Sequence, residues 1–514
     1  MLIAGTIAVC PGFLGLPAYG DSIPSPIVQT GDGPVTGTVT PTISSFLGIP
    51  FAAPPVGSLR WMPPKPPAPW TTARTATHTG STCPQGSGSG NEDCLYLNVI
   101  TPTTALEPNA EPVPVMVYFH GGAFLSGAGQ GSDSARLVTI GNVIVVTINY
   151  RLGALGFLAH PALSAESPYG SSGNYGILDQ QFALKWVKRN IAAFGGDPKD
   201  VTIFGQSAGG LSVFTNLVSP LAKGLFRRAL VESGSYSTKL QTLADAEDNG
   251  IAFASAVGCP DQTATCLRAV PVTTLLKNYG IIAGLDGEFL TPNVDGYVLP
   301  ESIDKALADG NFNRVPVIDG TTHDEYRIYV AELFDEASHP MSKTQYTTFL
   351  NGYFGGFEPS VIAEYPLANY PSPDLAFASV ITDLVFSCQA YDADVSMAKY
   401  VRTRVYEFAD ENSISTPANV TFPLGSSHGS EYRYLFSTPP SFFTERQLLL
   451  SYVMIRDWTN FAWNGNPNED WPAITAAGGG PIEWLKPIVS TRERLSAFSA
   501  DHKCAFWEPL LSAL

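Results

Sequence analysis

The sequence predicts an α/β fold, a mostly parallel central sheet covered by helices on both faces and carrying insertions. Two observations predict it: short apolar, β-rich runs recur along the chain, and helical patterns lie between several of them. A third bounds it. Over 514 residues there is no internal repeat, long linker or low-complexity tract, so a single large domain is expected over residues 21–514.

The β-rich runs fall at residues 115–119, 143–149, 201–204, 229–232, 315–318 and 404–408. Over residues 179–194, Phe182 with Trp186, and Ala183 with Val187 and Ile191, repeat at helical spacing, and the following Gly-Gly-Asp-Pro ends the pattern. A late helix is expected from Thr444, with Gln447 three residues on as a capping box, to Asn464-Gly465 just before Pro467.

The first twenty residues are apolar and uncharged, with Ala18 and Gly20 as small residues before a possible cut, and read as a secretory signal peptide. Prolines at 11 and 17 argue against a spanning helix, and no later run is long enough to cross a membrane, so no stable membrane insertion is expected. Seven cysteines fit export: Cys10 falls in the leader and leaves an even six. Six cysteines allow fifteen pairings. The nearest-neighbour choice is Cys83 with Cys94 and Cys259 with Cys266, leaving Cys388 with Cys504. Asn419-Val420-Thr421 is a glycosylation sequon. With 46 acidic against 29 basic residues the formal charge is −17, which repels phosphate backbones and excludes nucleic acid as a partner.

Between the run at 201–204 and a helix-like pattern stands Gly205-Gln206-Ser207-Ala208-Gly209. Small residues on both sides of Ser207 suit the strained strand-to-helix turn that lifts a nucleophilic hydroxyl clear of the backbone. Such a hydroxyl needs a base, and the base an orienting acid, in the chain order Ser, acid, His. Four histidines lie C-terminal to Ser207: His323, His339, His428 and His502. His428, in the small-residue loop "LGSSHGSEY" after the run at 404–408, is the best placed. For the acid, "VPVIDGTTHDEYRI" offers Asp319, Asp324 and Glu325; spacing does not choose among them, and Asp319 lies immediately after the expected strand. An oxyanion would find backbone donors in "VMVYFHGGAFLSG", at His120, Gly121, Gly122 and Ala123, and at Ala208, each worth roughly 3 kcal/mol.

These blocks, with "FLGIPFAAPPVGSLRW", "EDCLYLNV", "VVTINYRLGALGFL", "NYGILDQQFALKWVKRNIAAFGGDP", "VESGS" and "CAFWEPL", resemble the type-B carboxylesterases, the family of cholinesterases, bacterial p-nitrobenzyl esterases and fungal lipases. The resemblance implies an α/β-hydrolase fold. It implies Ser207 as nucleophile, Glu325 as acid, His428 as base, and Gly122, Ala123 and Ala208 as oxyanion donors. It supports the first two disulfides, and implies structural ion pairs Arg60 with Glu92 and Arg151 with Asp179. No metal or cofactor is implied.

Three departures bear on substrate. Gln206 stands where the family usually has Glu, and Tyr326 where it usually has Gly. The Cys83 to Cys94 loop holds ten residues and no tryptophan, unlike the longer loop that carries the choline-binding Trp in cholinesterases or the lid in fungal lipases. The expectation is a secreted serine esterase acting on a small-molecule or lipid ester of short to medium acyl chain. Its rivals are a lipase or a hydrolase of a specialised toxin, drug or polymer ester. A non-catalytic adhesion protein of the same fold is disfavoured because all three triad positions are filled.

Overall fold

The computed structural model describes residues 25–511 except 87, 132, 284–289, 336–338, 415–419, 437 and 488–490. The expected signal peptide and Asn419 lie outside the described residues.

An 11-stranded sheet forms the centre. In chain order its strands are β1 (Thr38–Val39), β2 (Ile43–Pro50), β3 (Tyr96–Pro102), β4 (Val113–Phe119), β5 (Ile144–Ile148), β6 (Gly196–Gln206), β7 (Arg228–Glu232), β8 (Val317–Thr322), β9 (Thr403–Phe408), β10 (Pro481–Leu485) and β11 (Thr491–Arg494). In space they run β11-β10-β9-β8-β7-β6-β4-β5-β3-β2-β1. From β4 to β10 the pairing is parallel, and the outer strands at both ends are antiparallel.

The central strands read as continuous apolar runs because both faces are covered. Along β4, Val115, Val117 and Phe119 enter one core while Met116 and Tyr118 enter the other, the period-2 alternation of a pleated strand. Helices α1 (Tyr175–Asn190) and α2 (Ala208–Val218) cover the first face through Leu184, Val187, Leu211 and Phe214. The insertions add α3 (Lys343–Phe354), α4 (Pro373–Ile381) and α5 (Cys388–Ala398). On the opposite face α6 (Glu445–Asn464) packs Met454, Trp458 and Phe461, and α7 (Cys504–Leu511) ends the described chain.

The helix ends follow the sequence signals. Thr444 N–H donates to Gln447 Oε1 (2.9 Å) and Gln447 N–H to Thr444 Oγ1 (3.3 Å), the reciprocal capping box, and Gly465 closes α6 in the left-handed region at φ 76°. The helix expected over 179–194 starts earlier, at Tyr175, and finishes as a 3₁₀ turn, Ile191–Phe194, closed by Gly195 at φ 85°. Two strand boundaries shift: β6 begins at Gly196, and β8 spans Val317–Thr322 rather than 315–318. Asp319 is therefore inside a strand and not in the turn after it. Of the outer strands, β2 ("ISSFLGIP") is buried largely at alternate positions and β11 ("TRER") is mostly exposed, so neither presents an unbroken apolar run.

Disulfides join Cys83 to Cys94, Cys259 to Cys266 and Cys388 to Cys504, the last tying α5 to α7 across 116 residues. Arg60 and Arg151 hold Glu92 (2.6 Å) and Asp179 (2.8 Å). Among the described residues no helix is long and apolar enough to cross a membrane.

Candidate active site

The parallel strands deliver their carboxyl ends to one edge, where open α/β sheets collect their functional loops. Ser207 occupies the turn between β6 and α2 with φ 59° and ψ −125°, a conformation L-residues seldom adopt and one that only surrounding structure can enforce. The turn is held by Ser207 N–H donating to Glu232 O (2.8 Å) and Leu211 N–H donating to Ser207 O (2.9 Å). Its neighbours must be glycine: a Cβ on Gly205 would stand 2.5 Å from the Gly209 backbone, and one on Gly209 only 1.9 Å from Phe119 O.

His428 lies on the loop between β9 and the short helix Tyr432–Leu435. Its Nδ1 is 2.5 Å from Glu325 Oε2, and its backbone N–H donates to Glu325 O (3.1 Å). Glu325 is fully buried, and its Oε1 accepts from Thr322 N–H at the end of β8 (2.8 Å). Asp324 ties these two loops together. Its N–H donates to Ser426 O (3.1 Å), its Oδ2 accepts from Ser426 N–H (3.0 Å), and Arg327 pairs with it at 2.7 Å. Burial raises the Asp324 carboxyl, but His323, Arg327 and the Ser426 N–H together hold it below its ordinary value.

Geometry therefore separates the three acids that spacing left open: Glu325 meets the imidazole, Asp324 braces its loop, and Asp319 belongs elsewhere. Asp319 is buried in β8, accepts from Ser235 Oγ (3.2 Å), and is pushed up to about 8 by that burial.

The other histidines stand apart. His323 sits between Asp324 (3.1 Å) and Asp501 (3.2 Å); burial opposes its charge, but hydrogen bonds to those carboxylates outweigh it and raise the imidazole to about 11. His502 lies between Asp383 (2.6 Å) and Glu407 (2.8 Å), and the same contest raises it to about 10. His339 is exposed.

After β4 the chain turns through Gly122 (φ 107°), Ala123 (φ 53°) and Phe124 (φ 57°), and Leu125 and Ser126 N–H close the turn on Gly122 O. Among the described residues the N–H groups of Gly122 and Ala123 donate to no other group. Ala208, at the first position of α2, puts a third candidate donor next to Ser207. His120, just before this turn, stacks on Tyr150 (4.3 Å) and is lowered to about 4 by burial, a packed ring and not a second base.

Aromatic side chains that pattern reading did not single out frame His428. Tyr329 lies 5.5 Å and Phe386 5.1 Å from its ring. Phe386 comes from a π-helical turn, Thr382–Ser387, between α4 and α5; no residue pattern marks such a turn in advance. Tyr326 finds room by burying its ring against Tyr329 (5.0 Å) and Phe377 (6.3 Å), with φ −85°, which makes no demand for glycine. One side chain beyond Phe386, at Tyr236, begins an open cleft of about 990 Å³ lined by Phe349, Tyr353, Leu384, Val385 and Gln389.

Residues 24–507 match the model of the Carboxylesterase family. The chain is 36% identical over 474 residues to the para-nitrobenzyl esterase of Bacillus subtilis (strain 168), covering 87% of this chain and 92% of that one. It is 34% identical over 486 residues to the fumonisin B1 esterase of Sphingopyxis macrogoltabida, covering 88% and 86%. A solved PNB esterase superposes with a TM-score of 0.78 at 34% identity, over 93% of this chain and 99% of that one. The chain belongs to the carboxylesterase family, with the α/β-hydrolase fold, and is a carboxylic ester hydrolase.

Proposed function

We propose that this enzyme hydrolyses carboxylic esters of short to medium acyl chain through an acyl-enzyme formed on Ser207. The observation that carries the reading is the Glu325 to His428 hydrogen bond of 2.5 Å, with His428 Nε2 3.2 Å from the side chain of Gln206, the residue just before a serine held at φ 59°. His428 removes the Ser207 proton as the oxygen attacks the ester carbonyl, and Glu325 holds the ring in the tautomer whose Nε2 can accept it. The N–H groups of Gly122, Ala123 and Ala208 receive the negative charge that develops on the carbonyl oxygen. The alcohol leaves with the proton from His428, and water repeats the sequence to free the acid.

The short Cys83 to Cys94 loop supports small esters over lipid aggregates, because it is too small to form a lid. A second reading, a hydrolase of one bulky ester, is favoured by the 990 Å³ cleft and by likeness to a fumonisin B1 esterase. For location we propose export by a signal peptide over residues 1–20 ahead of one catalytic domain over 21–514. Three disulfides support this, since such bonds persist in oxidising compartments.

The test is hydrolysis of p-nitrophenyl acetate, butyrate, octanoate and palmitate by wild type and Ser207→Ala, with a fluorophosphonate probe counting reactive serines. A maximum at short chains that vanishes with probe labelling in Ser207→Ala is expected. A maximum at palmitate overturns the acyl-chain assignment, and turnover retained by Ser207→Ala overturns the nucleophile.

A further inference from the structure

Gln206, the last residue of β6, is wedged between the loop that carries the oxyanion donors and the loop that carries the base. Its side-chain nitrogen lies 3.2 Å from His428 Nε2, the ring atom that must take the Ser207 proton. Gly121 lies tightly against it and Gly429 at ordinary contact distance. The Gln206 Oε1 would be 3.1 Å from a Cβ on Gly121, and its Nε2 3.5 Å from a Cβ on Gly429. The side chain is 8% exposed, so this placement is packed and not a solvent rotamer.

With Nδ1 engaged by the Glu325 carboxylate, the neutral ring carries its proton there and offers a lone pair at Nε2. An amide N–H can donate to that lone pair. Once His428 holds the Ser207 proton, Nε2–H must face the leaving alcohol oxygen, so the amide yields that atom during turnover. A carboxylate at this position could only accept, and would favour the charged ring at rest. A thioether could do neither.

We propose that Gln206 is a positioning residue for His428, an uncharged amide that steadies the neutral ring from the Nε2 side in the free enzyme and yields that atom to Ser207 when the ester binds, without biasing the resting enzyme towards imidazolium. This rests on the Ser207, Glu325, His428 assignment above. Glu325 approaches the ring from the loop after β8 and Tyr329 from the turn Arg327–Val330. Near Glu325, burial first, then the charges of Glu325 and Glu232, push the Glu431 carboxyl well above its ordinary range, and burial raises Glu232 at the end of β7 to about 7. The π-helical turn offers Phe386, which is uncharged. Gln206 is thus where a change of one atom places a new charge on the Nε2 side.

The experiment is the pH profile of kcat/KM on p-nitrophenyl butyrate for wild type, Gln206→Glu and Gln206→Met, each normalised to sites counted by the fluorophosphonate probe. Gln206→Glu should move the acid limb up by about 1–2 pH units and recover most of its rate at high pH. Gln206→Met should lower kcat about tenfold with KM little changed, and shift the limb much less, because it removes the hydrogen bond without adding charge. A Gln206→Glu limb coincident with wild type, or a Gln206→Met kcat equal to wild type, overturns the proposal; if one variant does not fold, the other still decides. Wild type that hydrolyses the ester without probe labelling at Ser207 would instead refute the triad assignment, and this proposal with it.

Discussion

Gly209→Ala tests how tightly the serine turn is built. The added carbon would stand 1.9 Å from Phe119 O, whereas ordinary contact begins near 3.4 Å, so α2 or the end of β4 must yield by about 1.5 Å. Helix propensity alone argues the other way, since alanine within a helix is favoured over glycine by about 1 kcal/mol. Overpacking against backbone costs about 1–3 kcal/mol, so the steric effect should win and the urea midpoint should fall. Phe119 is followed directly by the oxyanion loop, and a shift of about 1 Å between reacting groups can cost about a hundredfold in rate. We expect kcat/KM on p-nitrophenyl butyrate, per probe-counted site, to drop by about that factor. The control is Gly352→Ala, on α3, where nothing lies within 4 Å of the added carbon and only propensity acts. It should raise the midpoint by the equivalent of about 0.5–1 kcal/mol. A Gly209→Ala enzyme as stable and active as wild type would refute the argument that main-chain approach dictates glycine here.

Cys388→Ser with Cys504→Ser opens a closure of 116 residues and should lower stability by as much as about 4–5 kcal/mol in the chain-entropy account, read as a lower melting temperature with site counts retained in the cold. Gly425→Ala, whose Cβ would meet Asp324 Oδ2 at 2.1 Å from a backbone at φ 59°, should loosen the base loop and lower kcat and melting temperature together. Stability should also fall as pH rises from about 6 to about 10. His502 and His323, about 10 and about 11 in the folded protein against 6.5 as the ordinary value, contribute fully below 6.5 and lose that contribution as pH climbs through the folded values. Glu232 and Asp319, raised to about 7 and about 8, favour the protonated folded form and so act in the same direction. Urea midpoints across this range, flattened in part by Asp319→Asn, check the sign.

The central sheet was legible because strands covered on both faces are mostly apolar, and β4, β5 and the Ala-Leu-Val of β7 announce themselves that way, while β9 carries Arg404 and Glu407 within its run. Ser207 and His428 could be proposed from the sequence because a strained turn needs Gly205 and Gly209, and because chain order restricts the base of the proposed triad to histidines C-terminal to the serine. Glu325 was not legible from spacing. Three acids lay within seven residues, and only the fold shows that Asp319 points into β8's buried flank while Asp324 binds Ser426. Resemblance supplied that choice. The surroundings of His428 were unreadable for a different reason: Phe386 and the cleft residues come from insertions far along the chain, and contact across such distances leaves no local period in the sequence.

The same surroundings bear on selectivity for charge. The residue before Ser207 is the neutral Gln206, the loop between Cys83 and Cys94 carries no aromatic residue, and the rings nearest His428 are Tyr329 and Phe386, both also packed on other groups. Among the described residues, these groups at the reacting centre therefore give no fixed preference for a cation in the alcohol. The net charge of −17 still attracts cations at long range, but that field is screened beyond roughly 8 Å at physiological salt. A choline ester and its uncharged dimethylbutyl isostere should consequently show kcat values within about threefold of each other, with any advantage in kcat/KM for the cation fading as salt is added. A cation preference of tenfold or more that persists in high salt would require an anionic or aromatic subsite close to Ser207, and would overturn the argument that the groups around His428 are indifferent to charge in the alcohol.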